Sequence, residues 1–195
     1  MLAAEPSAVV VIGAADTTEH LAPSGYGDFG PYGAPEVRVG FGKHSCGGPS
    51  SLPLPHLVGA WLLQRVGCAT LRYGQAVASR TPMDECLALG RRLASSDSPI
   101  GLLVMGDGTA RRTPKAPGYF HPEAEAFDAA IADALGRADL AQLAALDVRL
   151  ADELMAGGRA AWQVLAGAAE GRDWSADLSY HDAPYGVGYF VATWT

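Results

Sequence analysis

Residues 100–108 read IGLLVMGDG, an apolar run that stops abruptly on Gly-Asp-Gly and continues into Thr109, Arg111 and Arg112. A short continuous run of this kind, bounded by turn residues, fits a strand covered on both faces. Its upstream neighbour, residues 81–99 (TPMDECLALGRRLASSDSP), reads as a helix. Thr81 is its N-cap candidate, Pro82 its first residue, Asp84 and Glu85 fill the first turn, and Arg91 and Arg92 stand near the end. A second continuous run, SAVVVIGAAD at residues 7–16, is again a covered strand, this time with Asp16 at its close.

Further strands and helices alternate with these. Residues 36–42 (EVRVGFG) alternate as a half-exposed strand, with Val37, Val39 and Phe41 on one side. Residues 54–67 place Leu57, Trp61 and Leu62 at helical spacing and stop at Gly67. Residues 69–74 (ATLRYG) read as a strand, and residues 121–136 as a helix with Phe127, Ile131 and Leu135 four apart. A helical region follows from about Asp139 to Ala169, broken near Gly157 and Gly158, and the chain closes with strand, turn and strand. Residues 21–35 (LAPSGYGDFGPYGAP) carry too much Gly and Pro for a regular element and read as a long loop. The alternation implies an α/β fold, a central mixed or mostly parallel sheet flanked by helices, in a single domain.

Composition narrows the function. The chain has 195 residues, 49% hydrophobic and 18% charged, which suits one well-buried core and not a disordered segment. Its net charge of −7 provides no broad basic surface, so nucleic acid and anionic membranes are not expected partners. No apolar stretch approaches a membrane span, and Glu5 and Pro6 stand where a signal peptide would be basic, so a cytoplasmic protein is expected. Cys46, Cys68 and Cys86 are too few and too far apart for a disulfide framework and read as reduced thiols.

In sheets of this class ligands bind beyond the carboxyl ends of the strands. That rule directs attention to Asp16, His20 and Asp107. Each also has a plainer reading: Asp107 as a turn residue between glycines, Asp16 as a cap, His20 as a surface histidine. Asp16 and His20 would share one face if their segment were helical. Arg111 and Arg112, with Lys115 nearby, could neutralise an anionic substrate, or form a solvated basic loop. His44 and Cys46 make a His-x-Cys pair of soft metal ligands without an obvious third donor. His56, His121 and His181 have no spacing that assigns a role. Phosphate-loop, dinucleotide and nucleophile-elbow patterns are absent after the strands.

Residues 102–131 (LLVMGDGTARRTPKAPGYFHPEAEAFDAAI) and the ending APYGVGYFVATW resemble the catalytic B-subunit superfamily of class III extradiol dioxygenases, in particular its alanine-rich actinobacterial branch. The likeness runs from about Ala8 to Trp194. It implies an α/β fold and, in the enzymes of the family, ring opening of catechols by non-haem iron(II) held by two histidines and a carboxylate, with a further histidine as acid/base. Such a centre leaves positions open for catecholate and dioxygen, and the extra imidazole moves protons.

The chain departs from that pattern. The family's first ligand region would precede residues 7–16, and this chain starts almost at that strand. The expected second histidine falls in AADTTEH, at Asp16 or His20. Ala110 occupies the acid/base histidine's place, and AGGRAAWQVLAG has no Glu or Cys where the last ligand would lie. The resemblance therefore implies a relative with an altered iron site, binding an aromatic or other small molecule in the old cleft through Asp107, Thr109, Arg111 and Arg112. Three alternatives stand beside it. One is an active iron(II) enzyme drawing ligands from Asp16, His20, Asp107 or a neighbouring subunit; another is a metal-independent enzyme using Asp107 and the arginines. The third is a structural, homo-oligomer-forming protein.

Overall fold

The computed structural model describes residues 6–42 and 52–195, so His44 and Cys46 lie outside the described residues. The chain falls into two compact units, residues 1–78 with 96–105 and residues 79–95 with 106–195. Both belong to an α/β protein whose main sheet is mixed and mostly parallel, as the alternation of patterns implied.

The first unit is built on β1 (Ala8–Ala15), β5 (Leu71–Ala78) and β6 (Ile100–Met105), which run parallel in the order β5-β1-β6. A short antiparallel strand, β2 (Glu19–Leu21), borders β5. Val10, Val11 and Ile12 of the central strand are fully buried, which is why that stretch is apolar without alternation. One face is covered by α1 (Leu54–Arg65), which ends before Gly67 at φ +66°. Gly59 lets the helix approach closely, since a Cβ there would stand 2.5 Å from Val11 Cγ1. The helix turns His56, Leu57, Gly59 and Ala60 inward, whereas Trp61 and Leu62, expected on the same face as Leu57, are each 38% exposed.

Residues 21–35 are more regular than their Gly and Pro content suggested. They include the end of β2, β3 (Tyr26–Phe29) and a 3-10 turn at Gly30–Tyr32, and β3 pairs antiparallel with β4 (Ala34–Gly40). The strand forms because Tyr26 and Phe29 are good strand residues and β4, the strand expected over residues 36–42, turns back to pair with it. Asp28 closes the turn by accepting a 2.8 Å bond from the Gly30 amide.

The second unit packs α2 (Met83–Ala94) against α6 (Arg159–Ala169). Their axes come close at two glycines: a Cβ on Gly90 would lie 2.1 Å from the Val164 carbonyl oxygen, and one on Gly167 2.2 Å from that of Leu87. The expected cap is displaced by one residue: Pro82 holds the cap position, and Thr81 instead offers its carbonyl to Arg159 at 2.6 Å. α3 (Ala124–Arg137) buries Ile131 and Leu135, and the region after it is three helices, α4 (Leu140–Ala144), α5 (Val148–Glu153) and α6, not one broken helix. Asp139 and Asp147 make the additional breaks by capping α4 and α5, accepting from Gln142 and Leu150. The closing hairpin, β7 (Ala176–Asp182) with β8 (Tyr189–Trp194), lies on α3, and the Trp194 indole donates to the Leu135 carbonyl at 2.8 Å.

Candidate functional site

The loop that follows β6 is held almost residue by residue. Gly106 touches Gly158 at the start of α6, where a Cβ on Gly106 would come within 2.3 Å of the Gly158 Cα. The Gly158 amide donates to the Asp107 carbonyl at 2.8 Å, and the Gly108 amide to that of Gly188 at 2.7 Å. Thr109 is fully buried. Its amide donates to Asp128 Oδ1 at 2.8 Å and its hydroxyl to Oδ2 at 2.9 Å. Further on, Ala110 donates to Leu154, Arg112 to Gly186 and His121 to Arg111, all through backbone amides.

Asp128 is the centre of this arrangement. It projects from α3 with no exposed surface and also receives Arg112 Nη1 at 3.2 Å. A second carboxylate, Glu125, lies 3.5 Å from Arg112 Nη2. A buried carboxylate is tolerable only when donors surround it, and here an amide, a hydroxyl and a guanidinium do so. A signal for this residue was present in the sequence: Ala124, Asp128, Ile131 and Leu135 form one helical stripe, and Asp128 is its only charged member.

Within this loop Asp107 behaves differently from its neighbours. It is exposed, while Gly108 and Thr109 on its C-terminal side are buried. Solvent can reach the carboxyl, yet the protein behind it removes enough water to push its pKa up. Tyr189 is close enough to feel that charge: its phenol is raised chiefly by desolvation, then by Asp107 and Tyr185. Arg111 extends toward α5 and donates to the Glu153 carbonyl at 2.9 Å, but its buried Nε has no partner among the described residues. Of the expected ligand contacts, Thr109 gives its hydroxyl to Asp128, and Arg112 directs Nη1 to Asp128 and Nη2 toward Glu125. Ala110, which the resemblance would set in the place of an acid/base histidine, has no titratable group.

The end of β1 is built differently. Asp16, Thr17, Thr18, Glu19 and His20 are all exposed. Thr18 accepts the Ala78 amide at 2.9 Å, and Thr17 donates to Glu19 at 2.8 Å. His20 lies in β2 opposite Gln75, its ring 5.2 Å from that of Tyr73, so the helical face that would have paired it with Asp16 does not form. Among the described residues no set of three or more His, Cys, Asp or Glu side chains is placed to hold a metal ion. The donors among the described residues do not fit an iron(II) centre of the kind the resemblance implies.

Among the buried polar groups whose burial the sequence reading did not foresee are His56 and Arg159. His56 is fully buried, its Nε2 3.1 Å from the Gln75 carbonyl, and burial lowers its pKa. Arg159 is also buried and donates to the carbonyls of Ser79 and Thr81 and to Gln163 Oε1. It joins the chain ahead of α2 to α6 beside Cys86, whose thiol is pushed up by burial. No helix among the described residues is long and apolar enough to cross a membrane. No protein-family model matches the chain, and no curated protein matches it in sequence.

Proposed function

We propose that the protein is a non-catalytic relative of the class III extradiol dioxygenase B-subunit superfamily that binds a small molecule, aromatic in the simplest case, at the loop following β6. The observation that carries this reading is the construction of the loop. Its backbone and the side chains of Thr109 and Arg112 are fixed from within by Asp128, and Asp107 is left facing solvent. A rigid loop that presents one carboxyl is suited to orienting a ligand, because little conformational freedom is lost on binding.

Each polar group has a defined part in this reading. Asp107 accepts a hydrogen bond from a ligand hydroxyl when ionised and donates one when protonated, and its raised pKa brings the protonated form nearer to neutral pH. Tyr189 contributes a phenol that feels the Asp107 charge. In this reading Ala110, which stands where the resemblance expects an acid/base histidine, supplies no proton shuttle.

Two measurements test the proposal. Elemental analysis after anaerobic loading with ferrous iron is expected to find no stoichiometric metal. Titration with catechol, followed by amide shifts in NMR spectra, is expected to move Gly108, Thr109 and Tyr189 saturably in the wild type and much less in Asp107→Asn. Stoichiometric iron with catechol turnover would overturn the non-catalytic reading. Catechol shifts indifferent to Asp107→Asn would remove the loop as its site.

A further inference from the structure

The first turn of α1 carries a histidine where the fold makes no provision for a charge. His56 is fully buried, and its Nε2 donates to the Gln75 carbonyl of β5 at 3.1 Å. A carbonyl oxygen only accepts, so the ring hydrogen sits on Nε2 and Nδ1 presents a lone pair. That Nδ1 is enclosed and has no hydrogen-bond partner among the described residues. A proton arriving there creates a buried cation with an unpaired donor, a costly combination.

Packing holds the ring close to the sheet. Glycines in two neighbouring parallel strands make its slot: a Cβ on Gly13 would lie 3.3 Å from His56 Cε1, and one on Gly74 3.0 Å from Cδ2. The charges around the slot oppose protonation or are engaged elsewhere. α1 has no acidic residue in its first turn and no side-chain cap, so the positive end of the helix dipole lies beside His56, and its own Arg65 closes the far end. β1 contains no titratable residue, and on β5 Arg72 shares the face of Gly74 and is itself a cation. On the bordering β2, Glu19 shares that face by its register with Ala76, but it is exposed and accepts from Thr17 at 2.8 Å. His20 lies on the opposite face against Tyr73. Burial holds the imidazole pKa below its usual value, against the Gln75 hydrogen bond, which raises it.

We propose that His56 is an acid-operated latch within the first unit. While neutral, its ring clamps the first turn of α1 onto β1 and β5; a proton taken from solvent at Nδ1 releases that turn. Release uncovers an apolar layer, since one turn further on Gly59 closes α1 over Val11, Leu103 and Met105. The opened state takes the proton more readily than the closed one. Closure is therefore fully stable above the ordinary histidine range and weakens as pH falls below about 6.5 toward the lower pKa of the closed form. The latch is independent of the reading given to Asp107.

The test follows the whole chain by NMR and by hydrogen–deuterium exchange from about pH 8 to about pH 5, with rates corrected for their intrinsic pH dependence. Protection at the Leu57, Gly59 and Ala60 amides is expected to start falling at about pH 6.5 and to steepen to about tenfold per pH unit, the slope of a single proton. The amides of β8, in the second unit, should hold. His56→Gln, whose amide can still donate to the Gln75 carbonyl, should show a flat profile at α1. An equal fall in wild type and His56→Gln overturns the latch, and so does a fall at α1 and β8 together, which is general acid unfolding. If the variant does not fold, the wild-type protein decides alone. Protection at α1 that stays constant across the range overturns the proposal, as do His56 ring signals that titrate at about 6.5 while α1 stays closed, the behaviour of a solvated ring.

Discussion

The ends of β1 and β6 look alike on paper, each an apolar strand leading through a glycine to an aspartate, yet the molecule builds them to opposite standards. After β1, five consecutive residues from Asp16 to His20 are exposed; two threonine hydroxyls bond within the turn and to Ala78, and Glu19 and His20 pair with β5 at its border. After β6, Gly106, Gly108 and Thr109 are fastened to the start of α6, to Gly188 and to a buried carboxylate on α3. Strand ends of equal turn chemistry thus differ in rigidity according to what distant segments supply. A carboxyl can orient a ligand only where that supply exists.

The comparison is broken most severely at Asp128. Asp128→Ala removes three acceptor bonds and leaves Arg112 and the Thr109 amide without their main partner. A loss of about 3–5 kcal/mol in urea unfolding is expected, the usual cost of stripping one member from a buried charged pair. Gly108→Ala should cost less, about 1–3 kcal/mol, because its Cβ would press within 2.6 Å of Asp128 Oδ1 and 2.9 Å of Phe190. Thermal unfolding of that variant checks the figure.

Asp107→Asn sharpens the contrast through pH. The folded pKa of Asp107 is raised above its unfolded value, so the stability this group contributes is full below the ordinary carboxylate range and is lost as pH rises through the folded pKa. The variant should therefore melt higher than wild type at neutral pH, and the two curves should converge in acid. Asp16→Ala is the smallest perturbation. An exposed residue outside any cap or buried network should change stability by less than about 0.5 kcal/mol at any pH, measured by the same melts.

Much of the architecture could be read from residue patterns. Continuous apolar runs marked β1 and β6, and the Pro-acid-basic order marked α2 to within one residue. The β3 half of the β3–β4 hairpin was hidden because its composition is that of a loop, although its partner strand was legible in the alternation of residues 36–42. At the candidate site the sequence identified the Gly-Asp-Gly turn but assigned Thr109 and Arg112 outward, toward a ligand. Their true partner, Asp128, stood on an otherwise apolar helical stripe, which shows that it is buried but not what it binds. The burial of Arg72 in β5, only 9% exposed, left no trace at all, since a single arginine in a strand pattern is as readily an edge residue as an enclosed one.

Hydrogen–deuterium exchange, resolved to single amides, tests the difference between the two strand ends most directly. The Thr109 amide, bound to a fully buried carboxylate, is expected to exchange only through large-scale opening, while the amides of Asp16 and Thr17 exchange on the fast scale of an exposed turn. Asp128→Asn should shorten the Thr109 protection and leave residues 16 and 17 unchanged. Equal, rapid exchange at Thr109 and Thr17 in the wild-type protein would contradict a preorganised loop after β6, and with it the assignment of that loop as the binding site.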